Sequence, residues 1–306
     1  MKFGRSLGFL AALVSALCIG GLLSVAVTSK SYSESYPAVV CPPTLAGLTS
    51  QISLASKKTP FQRLQNRTTK TAPVKVLRLP VNKDSLLFSS DGVTPVVWQS
   101  RASSWAGGAV CTGPETSQWF VGGTADITTR GRLIIINSGL SDAVVDVQSF
   151  TENGKQPLRT ITVVSKNYQV IPTDSLAPGD KYLTVHVAPR SGRINAFMID
   201  EQGAGLKSLG GDLVNSVSNA SKSVMIPAIP HQIKDRSPAL PHTLRVLTPG
   251  DVDASVTAEV LSSDGVFVPV GLTSRTVSAG IVTEFQFTPK ISSTVLAVRI
   301  TSTEPV

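Results

Sequence analysis

Residues 133–154, LIIINSGLSDAVVDVQSFTENG, return without a gap as residues 244–265, LRVLTPGDVDASVTAEVLSSDG. The positions that stay identical are Leu133, Gly139, Asp142, Ala143, Val145 and Gly154, repeated as Leu244, Gly250, Asp253, Ala254, Val256 and Gly265. In each copy apolar residues alternate with polar ones, which is the pattern of a half-buried strand. Each copy ends in Asn-Gly or Asp-Gly, a pair that favours a tight hairpin turn because both central positions need positive φ. The repeat predicts one β-rich module that is present twice.

The rest of the sequence favours an all-β fold. Short segments in which apolar and polar residues alternate recur about every ten residues around both copies, as in β-sandwiches. Only 16% of the residues are charged, and the runs of Ala, Glu, Lys and Leu that are typical of helices are missing, which favours strands. We therefore predict two tandem Ig-like β-sandwiches that follow an N-terminal transmembrane or signal helix and a basic tether.

These patterns divide the chain into segments. The predicted segments are a signal anchor or signal peptide at 1–29, a basic tether at 30–71, a first sandwich with an N-terminal extension at 72–202, a linker at 203–222 and a second, incomplete sandwich at 223–306. The second sandwich is expected to be incomplete because alignment of the two copies places Val306 just before the point where the last strand of the first sandwich, residues 194–199, begins. Two explanations stay open: the chain is a fragment, or a partner supplies the missing strand.

An apolar run near the N-terminus predicts export. Residues 8–27 carry no charge and are long enough to cross the core of a bilayer as a helix. Lys2 and Arg5 precede the run, and positive residues on that side predict that the rest of the chain lies outside the cytoplasm. Because the possible cleavage sites are poor, an uncleaved anchor is favoured over a cleaved signal peptide. We expect an extracytoplasmic protein that is either membrane-anchored through this helix or secreted.

The formal net charge of +8 comes from one segment. Between residues 42 and 83 there is no acidic residue, and the basic residues are Lys57, Lys58, Arg63, Arg67, Lys70, Lys75, Arg78 and Lys83. This segment could contact anionic wall polymers or lipid headgroups by long-range attraction, or it could be an ordinary solvated linker. Because the excess charge is confined to it, we expect no nucleic-acid partner.

Cys41 and Cys111 are the cysteines that follow the apolar run. Two cysteines in an exported chain usually pair, so we predict a disulfide; the alternative, a reactive thiol, has no histidine nearby in the sequence. Trp105 and Trp119 flank Cys111, and we expect them to pack on the disulfide in the core. The other interpretation is that Trp98, Trp105 and Trp119 form a stacking platform for a sugar.

Four short motifs are similar to those of a known family. They are CPP at residues 41–43, CTGPETSQWFVGG at 111–123, LIIIN at 133–137 and LAPGD at 176–180. With these motifs the chain resembles an actinobacterial family of exported, membrane-anchored or secreted proteins of unknown function with Ig-like β-modules. The resemblance covers nearly the whole chain after the apolar run. It implies an envelope location and Ig-like β-modules, and it brings no known catalytic residues.

The sequence contains no recognisable catalytic motif, such as G-x-S-x-G, H-E-x-x-H or a P-loop. His231, Asp235 and His242 could ligate zinc, but their spacing matches no common site, and a polar loop without a metal is favoured. We predict no enzyme activity, no cofactor and no metal. The favoured function is a non-enzymatic envelope protein whose tandem sandwiches bind a partner protein or an anionic wall polymer, or play a structural role. The alternative is a carbohydrate-binding module that acts on cell-wall polysaccharide.

Overall fold

The computed structural model describes residues 39–54, 59–66, 68–72, 78–89, 94–102, 104–204, 207–232 and 241–306. Over these ranges the chain forms β-strands and one short 3-10 turn at Thr173–Ser175, so the predicted all-β class is confirmed. The predicted N-terminal helix at residues 8–27 lies outside the described ranges. Within them, no helix has the length and apolar character needed to cross a membrane.

Eight of the described strands form two four-stranded sheets, here called the amino-terminal sheets. Their strands are β1 (Val39–Cys41), β2 (Thr49–Ser53), β3 (Thr59–Arg63), β4 (Lys70–Ala72), β5 (Leu79–Val81), β6 (Leu86–Phe88), β7 (Val96–Arg101) and β8 (Trp105–Val110). One sheet has the order β1-β6-β3-β4 and the other has the order β5-β2-β7-β8. Their apolar side chains share one buried core, to which Val40, Ile52, Leu86 and Val97 belong.

The next nine strands form the first repeat. They are β9 (Gln118–Thr124), β10 (Arg132–Asn137), β11 (Ala143–Thr151), β12 (Gly154–Lys155), β13 (Arg159–Val163), β14 (Asn167–Pro172), β15 (Tyr182–Pro189), β16 (Ile194–Ala204) and β17 (Lys207–Val214). One sheet has the order β12-β11-β15-β9, with β13 also paired to β11, and the facing sheet has the order β14-β10-β16-β17. The predicted hairpin joins β11 to β12, but its turn residues are Glu152 and Asn153, because Thr151 pairs with Gly154. Gly154 has a positive φ of 102° and Asn153 does not, so only one of the two predicted positions takes that conformation.

The last seven strands form the second repeat. They are β18 (Ser223–Pro230), β19 (His242–Val246), β20 (Ala254–Ser262), β21 (Gly265–Phe267), β22 (Arg275–Val277), β23 (Thr283–Phe287) and β24 (Val295–Ser302). One sheet has the order β18-β24-β20-β21, with β22 also paired to β20, and β19 pairs with β23 in the other. This is the pairing scheme of the first repeat, with β18 in the place of β9, β19 in that of β10 and β24 in that of β15. Among the described strands, none takes the place of β16 or β17.

β10 is the central strand of the first repeat, because both of its faces are buried. Leu133 and Ile135 point into the core between the two sheets of the repeat. Ile134 and Ile136 point the other way, into the core that the repeat shares with the amino-terminal sheets. Burial on both faces explains why this strand is apolar throughout instead of alternating. Each fully buried isoleucine contributes about 2 kcal/mol by removing apolar surface from water.

The corresponding strand of the second repeat, β19, has a different outer face. Arg245 stands where β10 has Ile134. Its guanidinium group lies 5.0 Å from the centre of the Tyr182 ring and donates a hydrogen bond to the carbonyl oxygen of Gly123, both of which belong to the first repeat. The outer face of β19 therefore rests on the first repeat through an aromatic and polar contact, whereas β10 uses an apolar one.

A disulfide joins Cys41 to Cys111, as predicted, with a distance of 4.8 Å between the two Cα atoms. Cys41 ends β1 and Cys111 follows β8, so the bond ties the first strand of the amino-terminal sheets to the last. Both side chains are buried in the core of these sheets.

The predicted tether and linker need correction. The described part of residues 30–71 contains β1, β2, β3 and most of β4, because residues such as Val40, Ile52 and Phe61 enter a core. The predicted linker at 203–222 contains β17, which pairs with β16 and buries Leu213. In both segments each strand supplies only a few core side chains, too few for the alternation to be visible in the sequence.

Candidate functional site

A cleft of about 280 Å³ lies where the loop after β1 meets the outer face of β10 and β16. We call it the arginine cleft. Its apolar lining includes Leu45, Leu48, Val170 and Ile199, and its charged lining is Arg101, Arg130, Arg132 and Glu201. Because three guanidinium groups accompany one carboxylate, the lining carries an excess of positive charge.

Arg101 and Glu201 form a two-pronged ion pair in the arginine cleft. Nε and Nη2 of Arg101 donate to the two carboxylate oxygens of Glu201 at 2.5 and 2.9 Å. Burial by itself would raise the pKa of Glu201, but the hydrogen bonds from Arg101 and the charge of Arg130 outweigh burial and lower the pKa. The hydrogen bonds that Arg101 donates to Glu201 raise the pKa of Arg101. The pair therefore stays charged at neutral pH and joins β7 to β16.

Arg130 and Arg132 lie on either side of the point where the chain enters β10. The backbone N–H of Arg130 donates to the carbonyl oxygen of Glu201 at 2.8 Å, which holds this loop against β16. Nη1 of Arg132 donates to the carbonyl oxygen of Gly131 at 2.7 Å. Among the ion pairs of the described residues, none includes Arg130 or Arg132. Their charge is therefore available to an anionic group in the cleft.

The arginine cleft continues into a wider groove of about 860 Å³. The residues that line both are Leu45, Ala46, Leu48 and Val170. Farther along, the groove is bounded by Tyr168 and Lys83, and the Tyr168 hydroxyl donates to the carbonyl oxygen of Lys83 at 2.9 Å. Burial, followed by the nearby charge of Asp84, raises the pKa of Tyr168. Most of the cations of this combined surface are at one end, because Arg101, Arg130 and Arg132 line the cleft and Lys83 alone lines the groove.

The sequence did not identify the arginine cleft. Arg101 and Glu201 are 100 positions apart, and nothing local to either residue indicates the other. A local signal did exist at Arg130 and Arg132, where two cations stand immediately before a fully apolar strand. Two cations at the start of a buried strand could have been identified as a candidate anion site.

Trp105 lies in the core and is not part of a binding surface. It is 8% exposed and belongs to the same buried cluster as Cys41 and Cys111. Gly211 of β17 permits this close packing, since a Cβ there would lie 2.7 Å from the Trp105 ring. A ring covered in this way offers no face to a sugar. Trp105 is therefore a core residue and is not part of a stacking platform.

Trp119 lies on the outer face of β9 and is partly buried, away from the disulfide. Its indole stacks on the imidazole of His186 with the ring centres 4.0 Å apart, and Phe150 lies beside it at 5.8 Å. Oγ of Ser117 is 3.0 Å from Nε2 of His186. Burial lowers the pKa of His186. One face of the Trp119 ring is therefore already occupied by a side chain of the same sheet.

Trp98 is the exposed tryptophan, with 49% of its surface accessible. Its indole N–H donates to Oγ of Ser53 at 3.1 Å, which fixes the ring on the surface of the sheet. A Cβ at Gly108 would lie 3.0 Å from the ring, so glycine allows the indole to lie on the backbone of β8. Asp212 and Asn215 complete a recess of about 310 Å³ beside the ring. The three tryptophans thus occupy three separate places.

His231 and His242 meet between β18 and β19, with Nδ1 of His231 2.9 Å from Nε2 of His242. Burial, followed by the nearby His231, lowers the pKa of His242. Asp235, the third possible ligand, lies outside the described residues. Across the ranges that the structure describes, no group of three or more His, Cys, Asp or Glu side chains is arranged to hold a metal ion.

A family of unknown function, DUF5719, matches residues 98–306, which is more than half of the chain. The match includes the last part of the amino-terminal sheets and both repeats. Neither a curated protein nor a solved structure matches the chain. The resemblance to a family of unknown function is therefore confirmed over residues 98–306.

Proposed function

We propose a function for this chain, which belongs to the DUF5719 family of unknown function: it is a non-enzymatic protein of the cell envelope that binds an anionic envelope polymer in the arginine cleft. The proposal depends on one observation, the excess of guanidinium groups over carboxylates in that cleft. Guanidinium groups recognise carboxylate and phosphate through paired N–H donors. The adjoining groove supports the choice of a polymer, because it offers room for further units next to the charged one.

The proposed location is outside the cytoplasm, either anchored in the membrane or secreted. The Cys41–Cys111 disulfide supports it, because such bonds persist in oxidising compartments. The apolar run at residues 8–27 supports it as an anchor or signal. The two repeats, which we propose to be Ig-like sandwiches, would then serve as the rigid support of the binding surface.

Binding of soluble polyanions tests the proposal. The probes are polygalacturonate, which carries carboxylates, and polyphosphate, with neutral dextran as the uncharged control. Arg130→Gln combined with Arg132→Gln should raise the Kd for at least one polyanion tenfold or more and reduce its dependence on salt, because two cations are removed from the cleft. Calorimetry at two salt concentrations measures both effects.

The matched control removes the same charge elsewhere. Lys155→Gln combined with Arg159→Gln changes two exposed cations of the first repeat and should leave the Kd within about threefold, because screening limits the reach of exposed charges. Equal weakening by the two double variants would show binding by net charge alone and contradict the proposal. So would polyanion binding no tighter than dextran binding.

Binding of a neutral carbohydrate at Trp98 is a second candidate function, and the exposed, fixed indole beside Asp212 and Asn215 favours it. A sugar ring can stack on an exposed indole while side-chain polar groups bind its hydroxyls. Trp98→Ala should abolish binding to solubilised wall polysaccharide, whereas Trp119→Phe should leave it unchanged. Affinity electrophoresis measures this, and binding that survives Trp98→Ala would exclude this site.

A further inference from the structure

A carboxylate without a counter-ion borders the recess beside Trp98, here called the Trp98 recess. Asp212 of β17 lines it together with Trp98 and Asn215. No ion pair in the described part of the chain includes Asp212. Among the described residues that line the recess, none is a lysine, an arginine or a histidine. The negative charge of Asp212 is therefore available to a cationic group of a ligand.

The strand that pairs with β17 does not neutralise Asp212 either. The residue directly across from it on β16 is Asp200, a second carboxylate. Oδ2 of Asp200 accepts hydrogen bonds from the side chains of Thr124 and Gln202, both at 3.2 Å. Like charges directly opposite each other are unfavourable, so this pairing adds to the preference of the Trp98 recess for a cation.

The backbone holds the Asp212 carboxylate in place. Oδ1 of Asp212 accepts a hydrogen bond from the backbone N–H of Leu213 at 2.7 Å, and the backbone N–H of Gly108 on β8 also donates to the carboxylate. Partial burial raises the pKa of Asp212, and these two hydrogen bonds oppose that effect without cancelling it. The side chain remains in contact with solvent. A ligand can therefore reach a carboxylate whose position is already fixed, which favours a charge-assisted hydrogen bond.

The indole of Trp98 adds an apolar surface next to this carboxylate. One side of the ring lies on β8 at Gly108, yet 49% of the residue is exposed. The hydrogen bond from the indole N–H to Ser53 keeps the ring in this orientation. A sugar ring can place its C–H groups on such a surface while its polar groups bind nearby side chains.

The size and the remaining lining of the Trp98 recess fit one small polar unit. Its volume of about 310 Å³ is at the lower end of the range for ligand sites. The Asn215 amide both donates and accepts hydrogen bonds, as the hydroxyls of a sugar require. An anionic unit would meet the like charge of Asp212, so the Trp98 recess and the arginine cleft select opposite charges.

We propose that the Trp98 recess binds a sugar unit with a free amino group, whose ring stacks on Trp98 and whose ammonium group pairs with Asp212. The inference rests on the second candidate function, a sugar at Trp98, and replaces its neutral ligand with a cationic one. It does not depend on polymer binding in the arginine cleft, which involves other residues.

Two oligosaccharides that differ in charge test this inference. One is a glucosamine tetramer, which carries free amino groups, and the other is the N-acetylglucosamine tetramer, which is neutral. In a mildly acidic buffer that protonates the amines, the 306-residue chain should bind the glucosamine tetramer at least tenfold more tightly than the neutral one. Calorimetry measures both Kd values on the unaltered protein, so the comparison does not depend on whether a variant folds.

Two aspartate variants locate the charge that is recognised. Asp212→Asn keeps the size of the side chain and a hydrogen-bond acceptor. It should raise the Kd of the glucosamine tetramer at least tenfold and change that of the neutral tetramer less than threefold, whereas a merely structural role of Asp212 would weaken both equally. Asp251→Asn removes an exposed carboxylate of the second repeat and should change either Kd less than threefold. Trp98→Ala should weaken both tetramers, because both stack on the indole.

Three results would overturn the inference. Equal affinity of the natural chain for the two tetramers would do so and would leave the second candidate function with its neutral ligand. Equal weakening of the glucosamine tetramer by Asp212→Asn and Asp251→Asn would mean that net charge alone attracts it. Binding of neither tetramer would exclude the amino sugar, and the wall-polysaccharide test of Trp98→Ala then decides the second candidate function separately.

Discussion

At the scale of single residues, the Arg101–Glu201 ion pair is a contact whose loss should be costly. Glu201 is only 2% exposed, so removal of Arg101 leaves a buried carboxylate without its ion-pair partner, and only the charge of Arg130 still acts on it. We expect Arg101→Met to lower the free energy of unfolding by about 3 kcal/mol. Urea denaturation at neutral pH measures the change.

The control for this prediction is a pair of the same kind on the surface. Arg190 pairs with Asp146 at 2.7 Å, but Arg190 is 56% exposed. Arg190→Met should therefore cost less than about 1 kcal/mol, as is typical of exposed pairs. If Arg101→Met lowered the free energy of unfolding no more than Arg190→Met, burial of Glu201 would add nothing to the cost of breaking the pair.

His186 gives a prediction about pH at the same scale. Burial lowers its pKa in the folded protein, so the unfolded chain binds the proton more readily. The stability that neutral His186 contributes is present above the ordinary histidine pKa and is lost as the pH falls through the lower, folded pKa. His186→Phe keeps an aromatic ring against Trp119 without titrating. The drop in Tm between about pH 8 and about pH 5 should be smaller in this variant than in the natural chain, and an equal drop in scanning calorimetry would contradict it.

At the scale of elements, the close approach of β8 and β17 predicts a steric effect. A Cβ at Gly107 would lie 2.8 Å from the Cα of Asp212, a backbone atom that cannot move without displacing β17. Gly107→Ala should lower the free energy of unfolding by about 1–3 kcal/mol. Gly250→Ala is the control, because no atom lies within 4 Å of a Cβ there, and its effect should stay within about 0.5 kcal/mol. Similar urea midpoints for the two variants would contradict the close approach of β8 to β17 at Gly107.

Elements with a clear alternation and a hairpin signal were predictable from the sequence. Burial alternates along most of β20 and along the first half of β11, each strand is followed by Asn-Gly or Asp-Gly, and both strands are where the repeat placed them. Of the amino-terminal sheets, β5 to β8 lie in the segment 72–202 that was predicted to be β-structure. β1 to β4 were not predicted, because each is three to five residues long and buries few side chains. β17 was hidden by its two glycines, of which Gly211 is required because Trp105 packs against it.

At the scale of the whole molecule, the candidate site could not be predicted because it exists only where separate elements meet. The arginine cleft combines the loop after β1, the end of β7, the start of β10 and part of β16. The apolar character of β10 on both faces was visible in Leu133 to Ile136. The repeat was nevertheless interpreted as half-buried strands, and nothing in this run shows that the amino-terminal sheets cover its second face.

The disulfide gives a prediction for the amino-terminal sheets as a whole. It closes a loop across 70 positions of sequence, and loop entropy assigns such a bond about 4 kcal/mol. Cys41→Ala combined with Cys111→Ala should lower the free energy of unfolding by about that amount, as should reduction of the natural chain. Urea denaturation with and without reductant measures both. A double variant as stable as the oxidised chain would contradict the prediction.

Hydrogen exchange of the two corresponding strands, β10 and β19, tests most directly the claim that the second repeat copies the first and that, among the described residues, β19 is paired on one side only. The measurement is residue-resolved exchange on the 306-residue chain without ligand. The amides of β10 should all exchange slowly, because β14 and β16 pair with both of its sides. In β19, the amides directed to β23 should exchange slowly, and those directed to the other side should exchange at least tenfold faster. Uniformly slow exchange along β19, equal to that of β10, would contradict the account.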